Sequence, residues 1–435
     1  MQSAMRNLLC SAAVLAITLL TACGSGSGTT VPANIRLVND TTSLLDLDIN
    51  TATQIASVGA KTSSAYSSIA PGTYTESLAT NGTTVPTATG NIGLGTGQNY
   101  TTIAFLHNTD IEAQSYAENQ TIPSAGYSSL NIANLSVDAG PVDVFLVAHG
   151  TAIPANATPT FSSVQGLSTA ATLASTSASV AYDIIVTGFG NAADIRLVYS
   201  SPAFASAQAY TLALTSTPGG GLVNGVLIPQ GIAITASGFY TNPQARVRVL
   251  SALPQSPSQE VLVTVGTTAL LPDYAPNWTP YQVVAGGSTI TSLTVAGSAI
   301  TVPAIPNGSF TAGGDFTVLV YGTTAAPLAV VFTDTNQIKA NSASVRVVNA
   351  AVTGGVGLNL IVNGSAKISN VPYGSDAGLP LVYAGVAPSS SPTLQLIGGG
   401  YDQTLSGTSV PLVTGAVRTV FVYDATLPPL VISDR

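Results

Sequence analysis

A strand-like segment, Asn34-Ile35-Arg36-Leu37-Val38-Asn39, returns as Ala245-Arg246-Val247-Arg248-Val249-Leu250 and again as Ser344-Val345-Arg346-Val347-Val348-Asn349. A degenerate copy, Tyr127-Ser128-Ser129-Leu130-Asn131-Ile132-Ala133-Asn134, lies between the first two. Starts near residues 34, 128, 246 and 344 divide the chain into four units of roughly 100 residues, the size of a whole small sandwich rather than a solenoid repeat. Each unit must then bury a core of its own.

An alternating second strand follows each opener, at 45–49, 142–147, 261–265 and 358–362. In the last, Leu358, Leu360 and Val362 share one face of the pleat, and Asn363-Gly364 suits the positive φ of a tight hairpin. A strongly β-forming strand ends each unit, at 100–106, 210–214, 316–321 and 419–423. Only 7% of residues are charged, so the solvent faces must be Ser and Thr, which favours strands over long exposed helices. The expected fold is all-β, built of tandem antiparallel immunoglobulin-like β-sandwich modules. A transmembrane barrel shares the alternating pattern, but an aromatic content of 6% is thin for its girdles.

The amino end carries Arg6, an apolar run from Leu8 to Leu20, and then Thr21-Ala22-Cys23. The run is too short for a spanning helix and has the three-part form of a secretory signal. Its ending resembles the lipobox of bacterial lipoproteins, where cleavage before the cysteine leaves that thiol to be acylated. The resemblance implies a signal peptide over 1–22, lipidation at Cys23 and a flexible linker over 23–32. Modules are then expected over 33–123, 124–241, 242–340 and 341–435. Cys10 falls inside the signal, so no thiol remains for a disulfide. Gly24 is not an acidic retention residue, which makes the outer membrane of a Gram-negative cell the expected destination.

The openers, the strand after Pro141 and Ile361-Val362-Asn363-Gly364 resemble the bacterial domain-of-unknown-function family 4397, whose members are often tandem modules in secreted and lipid-anchored proteins. Tyr66-Ser67-Ser68-Ile69-Ala70-Pro71-Gly72-Thr73-Tyr74 keeps that family's tyrosine-turn element. Asn39 and Asn349 stand where its histidine would be, and its acidic-proline loop is missing. The resemblance implies an immunoglobulin-like envelope module and brings no activity with it.

Candidate chemistry is sparse. Gly188-Phe189-Gly190-Asn191-Ala192-Ala193 fits a dinucleotide fingerprint, yet residues 194–199 alternate like a strand, so a hairpin turn is expected. Asp46, Asp48 and Asn50 have calcium-loop spacing without its later Gly and Glu, and read as a solvated strand face. His107 and His149 are the only histidines, and no G-x-S-x-G elbow accompanies them. They read as turn residues, with no catalytic triad and no metal set. Arg36, Arg248 and Arg346 share one slot of three openers. Anion binding is conceivable there, but an outward or edge residue that blocks strand pairing is the expectation. Trp278, Tyr274 and Tyr281 cluster in a proline-rich loop, which either stacks on a sugar ring or plugs its own sandwich.

A net charge of −8 with scattered basic residues argues against a nucleic-acid partner. The chain is expected to be a non-enzymatic, lipid-anchored cell-envelope protein, a spacer or interaction scaffold with no cofactor. Its partners would be the membrane, through the lipid, and an envelope protein or glycan. Carbohydrate or peptide binding around Trp278, Tyr274 and Tyr281 is the alternative.

Overall fold

The computed structural model describes residues 30–169, 174–253, 260–271, 277–338, 341–351, 357–374, 384–386, 391–406 and 411–434. The proposed signal peptide, Cys23 and Tyr274 lie outside them. Among the described residues the fold is all-β, with eight sheets enclosing four hydrophobic cores. In the first sandwich the opener Ala33–Asn39 lies between Asn99–His107 and the short strands Thr62–Ser63 and Ser67–Ile69, with Asp110–Ala117 at the far edge. The facing sheet runs Ala52–Val58, Leu45–Ile49, Gly72–Thr80, Thr83–Leu94. The same plan recurs around the openers Tyr127–Asn134, Gln244–Ser251 and Ala343–Asn349.

Two details depart from a purely antiparallel reading. Each opener runs parallel to the late strand beside it, Ala33–Asn39 to Asn99–His107 and likewise in the other three. The intervening chain builds the whole facing sheet, which is long enough to return a strand in the same direction. Those late strands also do not end their units. Each is followed by a further antiparallel strand, Asp110–Ala117, Val223–Pro229, Ala326–Asp334 and Leu430–Ser433, and in the second sandwich by a second one, Phe239–Tyr240.

Local chemistry explains the turns. Asn81-Gly82 and Asn363-Gly364 take φ values of 50° and 75°, and 49° and 76°, the left-handed pair that a two-residue hairpin needs. Phe189 and Gly190 likewise join Tyr182–Gly188 to Asn191–Ser200 as a hairpin, with no helix to receive a pyrophosphate. Asp46 is structural: its Oδ1 accepts the Ser57 N–H at 2.6 Å, where Ser57 has φ 58° and the register shifts. Asp143 with Ser163 and Asn359 with Asn370 repeat that tie at 2.8 and 2.9 Å. Asn39 is buried at the end of its opener, donating to the carbonyls of Ser43 and Val58 and accepting from Thr41. Asn134 and Asn349 hold Val164 and Val371 in the same way, so the amide fastens opener to third strand.

The second strands alternate, Leu45, Leu47 and Ile49 buried and Asp46 and Asp48 partly exposed, whereas the openers are buried on both faces. Ala33, Ile35 and Leu37 enter their own core. On the other face Val38, Ile103 and Phe105 pack against Ala133, Leu135, Ala213 and Val226 of the second sandwich. Leu250, Leu319 and Phe332 of the third meet Val348, Phe421 and Ile432 of the fourth. The four sandwiches are stacked as two pairs, opener sheet against opener sheet.

Candidate functional site

The arginines of the openers correct the sequence expectation. Arg36, Arg248 and Arg346 are neither edge nor outward residues; each is at most 1% exposed, on a strand with neighbours on both sides. A guanidinium buried this deeply must have its donors satisfied. Between the third and fourth sandwiches it is, with a near two-fold relation. Arg248 Nε donates to Thr317 at 2.9 Å, Nη2 to Thr419 at 3.0 Å and Nη1 to Asp434 at 2.6 Å. Arg346 Nε donates to Thr419 at 2.8 Å, Nη2 to Thr317 at 3.1 Å and Nη1 to Asp334. Each threonine hydroxyl accepts from both arginines and donates to the acid of its own sandwich, Thr317 to Asp334 and Thr419 to Asp434. One donor and two lone pairs are all that a hydroxyl has. Burial works to raise the Asp334 pKa, but the charges of Arg346 and Arg248 outweigh it and hold the carboxyl below its usual value.

Tyr281 belongs to this network. Its hydroxyl donates to Asp334 at 2.6 Å, and the Arg246 and Arg248 guanidinium groups lie 4.5 and 4.6 Å from its ring centroid. Burial is the main reason its phenol titrates far above the ordinary range. Tyr281 thus packs onto its own sandwich, wedged between arginines, as the plug reading of its loop expects.

The first pair carries half of the same device. Arg36 donates to Thr101 and Glu118, each at 2.8 Å, and to the Pro229 and Ile232 carbonyls of the second sandwich. Tyr66 sits under its guanidinium and donates to Glu118. In the second sandwich the register places Asn131 at the arginine position beside Thr211, with Gln230 at the acid position. Cation and anion are lost together, and neutral amides replace them. Gln230 exchanges hydrogen bonds with the Gln120 backbone, and Gln120 Nε2 reaches Thr211 at 2.6 Å.

Two further contacts join the pairs. Arg246 makes a bidentate bond to Asp315 at 2.8 and 2.6 Å, and Asn336 donates to the same carboxylate at 2.7 Å. The Gly219-Gly220-Gly221 turn of the second sandwich lies against them, so close that a Cβ on Gly221 would fall 1.5 Å from Arg246 Nη2. At the other contact, Asp138 of the second sandwich accepts from His107 of the first at 3.1 Å, from Ser216 at 2.6 Å and from the Ile338 N–H at 2.6 Å. Burial works to lower the His107 pKa, but hydrogen bonds and charges from Asp138 and Glu112 prevail and push it up to about 10. The folded value thus lies above the ordinary 6.5. The ion pair's contribution is complete below pH 6.5 and is lost as pH rises toward about 10. Thermal melts of wild type and His107→Gln at pH 6, 8 and 10 check this: the wild-type advantage should shrink as pH rises. A constant gap would remove the ion pair from the interface. His149 is a half-exposed turn residue bonded to Asp183 at 2.7 Å.

Trp278, 38% exposed, stands at a cleft of about 540 Å³ where the second, third and fourth sandwiches meet. Tyr281, Arg196, Arg246, Arg248 and Asp434 line it. Among the described residues no group of three or more His, Cys, Asp and Glu side chains could hold a metal ion. The arginine–threonine–acid set escaped the sequence reading, although its letters recur: Thr after Tyr100, Phe316 and Arg418, and an acid at 118, 334 and 434.

No curated protein matches the chain. Among solved structures, the Bacillus anthracis TIE protein aligns at 7% identity over 91% of this chain and 68% of its own, with a TM-score of 0.13, too loose a superposition to carry an argument. Residues 33–145, from the first opener into the second strand of the second sandwich, match the family model described as Domain of unknown function (DUF4397).

Proposed function

We propose that this chain is a non-enzymatic, lipid-anchored protein of the bacterial cell envelope, acting as a spacer or interaction scaffold outside the inner membrane. One observation carries the scaffold part of this reading: the sandwiches meet through buried apolar faces and buried ion networks rather than through wet, separable contacts. Arginine, aspartate and tyrosine side chains that would otherwise be candidates for chemistry are engaged in holding module to module. The lipobox-like Thr21-Ala22-Cys23 and the Gly/Ser stretch after it supply the anchor and the tether.

Cells expressing the chain, fed radiolabelled palmitate, test the anchor. Wild type should take up label and Cys23→Ser should not; an unlabelled wild type, or equal labelling of both, refutes it. A second reading, binding of a carbohydrate or peptide, is favoured by the exposed indole at the three-sandwich cleft. A glycan array probed with wild type and Trp278→Ala addresses that reading.

A further inference from the structure

A second cleft of about 370 Å³ adjoins the Trp278 cleft, and Arg196 and Ser433 line both. Phe189 at the hairpin tip of the second sandwich, 58% exposed, and Val413 of the fourth, 50% exposed, line the second cleft. Aromatic and apolar surface is thus presented in both adjoining clefts, which together form a groove with polar groups such as Asn191, Gln282 and Thr414 along it.

Charge distinguishes this groove from the rest of the molecule. The described residues include eight lysines and arginines, and four of them, Arg196, Arg246, Arg248 and Arg418, line it, although the chain carries a net charge of −8. Arg196 is answered by Asp194, Arg246 by Asp315 and Arg248 by Asp434. Arg418 is half-buried and, among the described residues, has no acidic partner. A guanidinium partly withdrawn from water and left without a counter-charge is an open seat for a carboxylate.

An added peptide strand fits less well. The strand facing the groove, Asn191–Ser200, is an edge strand, but its register shifts between Val186 and Thr187, and the Arg196 carbonyl is already taken by Asn242. Bulges of this kind spoil an edge as a template. Sugar rings need no such ladder: they stack on exposed aromatic faces and bond to scattered polar groups.

We propose that the groove binds an acidic polysaccharide, a uronate chain whose rings stack at Trp278 and Phe189 and whose carboxylate pairs with Arg418. This rests on the carbohydrate-binding reading above and narrows it to an anionic sugar. The test is titration calorimetry of the full chain with oligogalacturonate and oligoalginate, beside methyl-esterified oligogalacturonate, which keeps the rings and loses the charges. The acid forms should bind about tenfold more tightly than the ester, as expected for one charge-assisted bond, and the difference should shrink with salt. Arg418→Gln should reduce the acid form to the level of the ester, Arg418→Lys should restore part of the difference, and Trp278→Ala should weaken both forms. Melting curves check that the variants fold. Equal affinity for acid and ester, lost only in Trp278→Ala, overturns the anionic assignment and leaves the carbohydrate reading standing. Binding of none of these sugars to the folded wild type overturns both.

Discussion

Arg346→Ala is expected to destabilise the paired third and fourth sandwiches by about 3–5 kcal/mol, the range seen when one partner of a buried ion pair is removed. The side chain is fully buried, and three of its donors engage Thr419, Thr317 and Asp334. Its removal strands the Asp334 carboxylate, leaving Arg248 Nε at 4.0 Å as the nearest cation. Denaturant unfolding should show an earlier transition for the variant. The paired replacement Arg346→Met with Asp334→Leu should recover much of the loss, because it removes cation and anion together. A cost below about 1 kcal/mol for Arg346→Ala would mean that the pair behaves as a solvated surface bridge.

Gly221→Ala is the second large effect. The added methyl would overlap the Arg246 guanidinium, which Asp315 pins from the other side, so the arginine cannot swing aside cheaply. Overpacking alone costs about 1–3 kcal/mol. If Arg246 is driven off Asp315, the cost approaches the about 3–5 kcal/mol of a broken buried pair. The damage falls on the contact between the second and third sandwiches, so small-angle scattering should show the two pairs separating before either unfolds. Gly190→Ala is the control: it sits in a turn with φ 71°, and its Cβ would meet open space. It should cost only backbone strain of about 1 kcal/mol, without separating the pairs. Equal scattering from wild type and Gly221→Ala would show that the close approach does not hold the pairs together.

Much of the fold was legible in the residues. The openers, alternating second strands, Asn-Gly turns and the Gly188–Asn191 hairpin all follow from local rules acting over a few residues. The arginines were misread for a physical reason. A period-two argument gives a strand one wet face, and Arg36, Arg248 and Arg346 fall on the face opposite Ile35, Val247 and Val345. That face is dry because another sandwich covers it, a fact no local pattern contains. Tyr281 behaves as a plug on its own sandwich, one of the two readings of its loop, but its partners Arg248 and Asp334 come from distant stretches of chain that no local pattern points to. The parallel opener pairing was missed because hairpin logic links neighbouring strands, and these strands are separated by an entire sheet.

Covering each opener sheet with a second one has a consequence for how such a chain can lengthen. The contact is self-complementary, Arg248 with Thr317 mirrored by Arg346 with Thr419, so one sandwich by itself would display a greasy patch centred on a naked guanidinium. A fifth copy would display the same patch and would glue chain to chain. Growth in twos avoids that hazard, and parity becomes a solubility constraint on the gene.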